Sequence, residues 1–177
     1  MTLERNEMDK TQLKQIACEA IDAHAQELIA FGEDIWKHPE LCFREYRTAS
    51  CVQQQFQRIG VQDIQTVAIT GLKGWLRRGE GPCVAIMGEL DAVISEQHPM
   101  ADPLTGAAHA CGHHAQLAAL LGAGWGLSAV ENALQGGICM IAAPAEEYIP
   151  NCIQDSDTSN LHWRPRNARP LLFPQWT

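Results

Sequence analysis

The sequence of 177 residues lacks the segments that send a chain to a membrane or through it. Residues 1–10 are polar and mixed in charge, so they do not form a signal peptide. The most apolar stretch, residues 117–130, is interrupted by Gly122, Gly124 and Gly126, and a membrane-spanning helix needs roughly 20 apolar residues. We therefore expect a cytoplasmic protein with no membrane partner.

Basic stripes and paired cysteines are also missing. The 13 Lys and Arg residues are outnumbered by 21 Asp and Glu residues, and the net charge of −8 argues against nucleic-acid binding. The seven cysteines are irregularly spaced and contain no CxxC pair, which excludes a zinc ribbon, a thioredoxin motif and a disulfide framework. No G-x-S-x-G segment is present, so a serine hydrolase of that type is excluded.

The composition, 46% hydrophobic and 19% charged, is that of a globular domain. It changes after about Asp155, where a tail with Pro165, Pro170 and Pro174 shows no helical or strand periodicity. We predict one domain over residues 1–154 and an irregular tail over residues 155–177. Our hypothesis for the tail is a truncated or frame-shifted end.

Helical spacing of apolar residues occurs in three places. It predicts one long helix over residues 11–37, ended by His38-Pro39, and a second helix that ends at Gly60. A third helix is predicted from about His114 to residue 130.

Strand patterns fill the rest of the predicted domain. Residues 62–69 and 72–78 alternate in polarity, whereas residues 83–87 and 138–142 are continuous apolar runs typical of strands buried on both faces. These elements predict an α/β fold, a mixed sheet flanked by helices. The third strand ends in Gly88-Glu89-Leu90-Asp91, which puts two carboxylates at the carboxyl edge of the sheet, where open α/β sheets hold ligands.

Two short segments could bind a metal. Cys111 and His113 share one face of an extended segment, and thiolate and imidazole are ligands for zinc. The dipole of the following helix should favour the ionised thiol. Glu146 and Glu147 end an uncharged strand and should point to opposite sides, one binding a metal and the other holding a water beside it.

Simpler interpretations stay open for each segment. A Cys-x-His pair is often accidental, and a Glu-Glu pair is often a solvated turn. Cys111 paired with a nearby histidine as a nucleophile is a further alternative. Of the other histidines, His109 and His114 are close enough to orient metal ligands, and the rest fit surface or core positions.

Four ordered segments resemble the metal-dependent aminoacylase and carboxypeptidase family of amidohydrolases. The most similar branch includes hippurate hydrolase, auxin-conjugate hydrolases and p-aminobenzoyl-glutamate hydrolase. The resemblance covers residues 11–154, as the N-terminal part of such a protein. The segments are Trp36-Lys37-His38-Pro39-Glu40-Leu41, Gly88-Glu89-Leu90-Asp91-Ala92, His109-Ala110-Cys111-Gly112-His113 and Pro144-Ala145-Glu146-Glu147.

This resemblance implies hydrolysis of an N-acyl amino acid or a similar short peptide-like amide at two divalent metal ions, manganese or zinc, with cobalt as a further option. Cys111 would bridge the ions, and His113 and Glu147 would be further ligands. Glu146 would be the base, and Asp91 would orient a ligand. The fold implied is the partial catalytic domain of a di-metal exopeptidase-type amidohydrolase, with the lid and dimerisation domain absent.

The sequence departs from the family pattern at several points. Position 114 is His where many relatives have Asp or Asn, and Glu89 stands where co-catalytic relatives have a metal-binding His and this branch commonly has Asp. Two further histidine ligands have no counterpart in the tail, and His162 matches neither. We therefore expect weak metal binding, impaired catalysis and some self-association, with an inactive metal-binding or interaction remnant as the alternative.

Overall fold

A computed structural model describes residues 9–147. The predicted boundary near residue 154 and the tail over residues 155–177 lie outside the described residues. In chain order the main elements are α1 (Lys10–Ala23), α2 (Ala25–Lys37), α3 (Tyr46–Ile59), β1 (Gln62–Val67), β2 (Gly71–Arg77), β3 (Cys83–Glu89), β4 (Val93–Ile94), β5 (Ala107–Ala108), α4 (His113–Ala129) and β6 (Gly137–Ala143).

The prediction of one long helix over residues 11–37 is wrong, because the chain leaves helical geometry at His24. The backbone of His24 has φ −102° and ψ 3°, and its ring stacks on Trp125 of α4 with ring centroids 3.7 Å apart. Both α1 and α2 pack against α4. The apolar spacing therefore continues across the break, and periodicity alone does not detect it.

The second helix and the first hairpin agree with prediction. α3 ends at Gly60, whose φ of +100° is the left-handed conformation that glycine adopts without a Cβ clash. β1 and β2 then pair antiparallel around a turn at residues 68–70. The apolar side of α3 packs against β2, so this helix covers the sheet.

The main sheet has the order β1-β2-β6-β3. β2 pairs antiparallel with β1 and β6, whereas β3 and β6 are parallel. α3 and α4 pack against this sheet, and the largest buried side chains between them include Val52, Phe56, Leu117, Leu121 and Met140. The predicted mixed sheet with flanking helices is confirmed.

β3 corrects a second prediction. Its apolar run was expected to be buried on both faces, but β3 is an edge strand in the described sheet. Val84 is 61% exposed and Met87 is 44% exposed, while β6 in the interior of the sheet is buried throughout. An apolar run indicates a strand, but whether a second neighbour covers it depends on the topology of the sheet.

α4 is the central helix and is apolar around most of its surface. Its glycines are contact points: a Cβ on Gly124 would lie 2.7 Å from Cε of Met140, and one on Gly126 would lie 3.0 Å from Cδ1 of Ile21. These glycines allow the sheet on one side and α1 on the other to approach closely. No helix within residues 9–147 has both the length and the apolar character to cross a membrane.

Candidate metal centre

The parallel pairing of β3 and β6 brings two acidic segments to one edge of the sheet. Glu89 pairs with Ala143 at the last position of the ladder, and the N–H of Leu90 donates to the carbonyl of Ala143 at 2.8 Å. The residues that follow both strands therefore emerge side by side. Asp91 and the Glu146–Glu147 pair are neighbours for this reason.

The segment after α2 supports the first of these strand ends. The carbonyl of Glu40 accepts a 2.8 Å hydrogen bond from the N–H of Ala92, and Leu41 forms a β-bridge with Ala92. The Glu40 carboxylate accepts from the N–H and the hydroxyl of Thr48 in α3. Glu40 and Leu41, from the first of the four segments that resemble the family, therefore hold the backbone next to the site and are not among its candidate ligands.

His113, the first residue of α4, lies at the centre of the acidic group. Its Nδ1 is 2.9 Å from the backbone carbonyl of Asp91. A carbonyl can only accept, so Nδ1 carries the proton, and a cation would be bound through the lone pair of Nε2. Nε2 faces three carboxylates, at 2.9 Å from Glu89, 3.8 Å from Glu146 and 3.6 Å from Glu147.

Two overlapping groups of side chains have the spacing of a metal site. One ligand atom each from Cys111, His113 and Glu147 lie within 4.8 Å of one another, and the same holds for Glu89, His113 and Glu146. Two ligand atoms at about 2.1 Å from a tetrahedral ion are separated by about 3.4 Å. The distances from Nε2 of His113 to the three carboxylates, 2.9 to 3.8 Å, are close to this value. The structure therefore brings together the three predicted metal ligands and the predicted base.

Because Glu146 and Glu147 are adjacent, their side chains were predicted to point to opposite sides. This prediction is wrong. Both carboxylates approach Nε2 of His113. β6 ends at Ala143, and Ala145 has a φ of +52°, so the pair follows a turn instead of continuing a strand. The alternation of side chains in an extended chain consequently does not apply here.

The electrostatics of Cys111 also differ from the prediction. The pKa of its thiol is raised because it hydrogen-bonds to the Glu147 carboxylate, whose negative charge adds to the effect, as do those of Glu146 and Glu89. In the metal-free chain these carboxylates favour the protonated thiol. A protonated thiol is a poor nucleophile, which argues against a Cys-His dyad at Cys111.

Burial raises the pKa of Glu146, and the charges of Glu89 and Glu147 raise it further. The side chain is half exposed, so it can reach both the cluster and solvent. A carboxylate with a raised pKa holds a proton more readily, which is the property that a general base for hydrolysis needs.

The rings of His109 and His114 contact each other at the start of α4. Their ring centroids are 5.6 Å apart, and His114 also lies near Trp36. Both ring nitrogens of the buried His109 and Nδ1 of His114 have no hydrogen-bond partner in the described part of the chain. Within that part, neither histidine bonds to a candidate metal ligand.

The sequence predicted Glu89, with Asp91, at the ligand-binding edge of the sheet without assigning it a metal, and the structure places it inside the cluster. Gln116 of α4 holds it by two hydrogen bonds: its Oε1 accepts from the N–H of Glu89, and its Nε2 donates to Oε2. The position of Glu89 beside Asp91 at a strand end was the available signal.

The donor set fits a divalent cation. Thiol, imidazole and carboxylate together suit zinc, and imidazole with carboxylate suits manganese or cobalt. Oε1 of Glu147 is buried and has no hydrogen-bond partner among the described residues, although it lies 3.6 Å from Nε2 of His113. A cation beside both atoms would satisfy this oxygen and offset the concentration of negative charge.

Comparison with known proteins finds relatives that are named hydrolases and deacetylases. The chain is 35% identical over 118 residues to IAA-amino acid hydrolase ILR1-like 6 of Arabidopsis thaliana, which covers 64% of this chain and 25% of that protein. It is 34% identical over 128 residues to N-acetylcysteine deacetylase of Bacillus subtilis, which covers 68% of this chain and 33% of that one. No family model matches.

The fold leads to the same group. The crystal structure of Bacillus subtilis YXEP, described as a dinuclear metal-binding peptidase from the M20 family, matches with a TM-score of 0.62 and 30% identity. The match covers 71% of this chain and 36% of that one, so the chain spans about a quarter to a third of the length of these relatives. The homologues of this chain are thus amidohydrolases and peptidases of the metal-dependent M20 family.

Proposed function

We propose that this chain forms the metal site of an amidohydrolase that cleaves the amide bond of N-acyl amino acids or similar short peptide-like compounds. The observation that carries the proposal is the convergence of ligand atoms of Cys111, His113 and Glu147 within 4.8 Å, where a buried Glu147 oxygen has no hydrogen-bond partner among residues 9–147. The substrate class follows the names of the relatives, one a hydrolase of IAA-amino acids and another a deacetylase of N-acetylcysteine.

In this proposal Cys111, His113 and Glu147 hold a divalent ion, manganese or zinc, with cobalt as a further option. A bound ion polarises the amide carbonyl and makes an adjacent water more acidic. Glu146 takes the proton from the attacking water and returns it to the leaving amine. Asp91 keeps the Nδ1 proton of His113 in place through its carbonyl and anchors the backbone of Glu147 through its carboxylate.

A second ion would use Glu89 together with His113 or Cys111. Among residues 9–147 the two clusters share His113, and Glu146 is assigned to proton transfer. These residues therefore supply three independent ligands to one ion and fewer to the other. We expect one ion to bind more tightly than the second, and turnover by this chain to be low.

The shared histidine also favours the second candidate function, metal binding without turnover. The exposed Val84 and Met87 on β3 would favour self-association of such a chain, which sedimentation velocity would detect. Both functions predict metal binding, so only the hydrolysis assay separates them.

The test measures bound metal and hydrolysis on the same samples. The 177-residue chain is dialysed against manganese or zinc, its bound metal is counted, and a hippurate-like N-acyl amino acid is offered. Cys111→Ser should lower metal content, whereas Cys83→Ser, at the far end of β3, should not. Metal with turnover supports the hydrolase, and metal without turnover supports the second candidate. The absence of stoichiometric metal in the unchanged chain would contradict both.

A further inference from the structure

Glu45 is a fully buried carboxylate that links three segments of the chain. It occupies the N-terminal capping position of α3 and has no solvent exposure. Its Oε2 accepts a 2.5 Å hydrogen bond from the hydroxyl of Thr70, in the turn between β1 and β2. Its Oε1 accepts a 3.0 Å hydrogen bond from the N–H of Ala145, in the turn after β6.

The second of these contacts lies directly before the acidic pair. Ala145 has a φ of +52°, a left-handed conformation that residues other than glycine adopt rarely. The N–H of Glu147, two positions further, donates to Oδ2 of Asp91 at 3.0 Å. Two carboxylates therefore hold the backbone on both sides of Glu146, Glu45 before it and Asp91 after it.

The turn after β6 also packs against the turn between β1 and β2. A Cβ placed on Gly71 would lie 2.7 Å from Cδ of Pro144, so the two backbones are in close contact. Thr70, the neighbour of Gly71, is buried and supplies the hydroxyl that fixes Glu45. The position of the acidic pair is thus determined by residues that are far from it in sequence.

We propose that Glu45 is a positioning residue of the metal centre, which acts through the N–H of Ala145 to aim Glu146 and Glu147 at His113. This inference rests on the proposed function, because it assumes that Glu147 binds a cation. The role requires a hydrogen-bond acceptor at Oε1 and a partner for Thr70 at Oε2. A neutral oxygen acceptor can fill this role as well as a charged one, because an N–H donates to either.

Two substitutions of similar size separate positioning from simple packing. In Glu45→Gln the amide oxygen can still accept from Ala145, and the amide nitrogen can donate to Thr70. Glu45→Met fills the same space without an acceptor. Each variant of the 177-residue chain is titrated with Co²⁺ and followed by its thiolate charge-transfer and d–d absorption bands, while circular dichroism reports the fold. Glu147→Gln provides the spectrum of a site that lacks that ligand.

We expect Glu45→Gln to bind Co²⁺ within about twofold of the unchanged chain, and Glu45→Met to bind it about tenfold more weakly, as for other groups that orient metal ligands. The d–d bands of Glu45→Met should shift towards those of Glu147→Gln. A folded Glu45→Met chain with unchanged affinity and bands would overturn the proposal.

If Glu45→Met does not fold, a pair of variants at Thr70 decides. Thr70→Val removes the hydroxyl that holds Glu45 and keeps the side-chain shape, whereas Thr70→Ser keeps the hydroxyl. Severalfold weaker Co²⁺ binding by the valine variant alone supports the proposal, and equal binding by both overturns it. If the unchanged chain binds no Co²⁺, the proposed function itself fails, which is a different outcome from normal binding in every variant.

Discussion

Asp91 and Glu147, which are 56 positions apart, are joined by a 3.0 Å hydrogen bond from the backbone N–H of Glu147 to Oδ2 of Asp91. The backbone carbonyl of Asp91 holds Nδ1 of His113 at 2.9 Å. One residue at the end of β3 therefore orients two candidate metal ligands from different elements. Groups that orient metal ligands do not contact the metal themselves, but their removal lowers the affinity of the site for the metal.

Replacement of Asp91 should weaken metal binding. Asp91→Ala leaves the N–H of Glu147 without its acceptor, and we expect affinity for Zn²⁺ to fall about 10- to 100-fold. Asp91→Asn keeps an oxygen that can accept from this N–H and should lose less. Competition with a chromophoric chelator gives both affinities. An alanine variant that binds as tightly as the unchanged chain would refute this role for Asp91.

Glu146 and Glu147 should differ when each is changed to glutamine. Glu147→Gln removes a proposed ligand and should reduce Zn²⁺ affinity at least about tenfold. Glu146→Gln should keep most of the affinity but reduce any hydrolysis of an N-acyl amino acid by about 10²- to 10⁴-fold, the usual contribution of general-base catalysis. Metal content and turnover are measured on the same preparation. The reverse order of metal affinities would show that the two roles are assigned the wrong way round.

His109 should make the metal-free chain less stable in mild acid. Burial, together with the charges of His114 and His113, lowers the pKa of His109 to about 4. In the unfolded chain His109 has its ordinary pKa of 6.5 and takes up a proton below that pH, whereas in the folded chain it stays neutral down to about pH 4. The stability contributed by neutral His109 is therefore complete above pH 6.5 and is lost as pH falls from 6.5 to about 4. The loss is roughly 3 kcal/mol at most.

The phenylalanine variant tests this pH dependence. His109→Phe has a ring of similar size and no proton to take up, and both nitrogens of His109 lack partners among the described residues. Urea unfolding between pH 7 and pH 4 should show a smaller loss of stability in this variant than in the unchanged chain. His38→Gln, an exposed position, serves as the control. Parallel pH curves for His109→Phe and the unchanged chain would contradict the prediction.

Gly71→Ala should destabilise the chain through a steric clash. The new Cβ would lie 2.7 Å from Cδ of Pro144 and 2.8 Å from the carbonyl oxygen of Val67, and overpacking of this kind costs about 1 to 3 kcal/mol. Gly81→Ala is the matched control, because its Cβ would meet no atom within 4 Å and only its φ of +103° is unfavourable. Thermal unfolding compares the two. An alanine at position 71 that costs no more than one at position 81 would show that Pro144 moves aside freely.

Local patterns predicted much of the fold and the main candidate ligands. Gly60 marked the end of α3, the uncharged run before Pro144 marked β6, and Cys111, His113 and the glutamate pair stood out because their chemistry is unusual for those positions. The break at His24 was missed because both neighbouring helices turn their apolar sides to α4. The exposure of β3 was missed because an apolar run does not reveal how many strands lie beside it.

The amino-acid sequence by itself determined which chemical groups are available and near which strand or helix ends they lie. Only the tertiary structure decided that β3 and β6 run parallel, so that Glu89 joins the cluster around His113, and that Glu45 and Asp91 hold the turn that carries Glu146 and Glu147. The reason is physical: a ligand set is defined by distances of a few ångströms between atoms, and for residues far apart along the chain those distances depend on strand pairing and packing, which local periodicity does not contain.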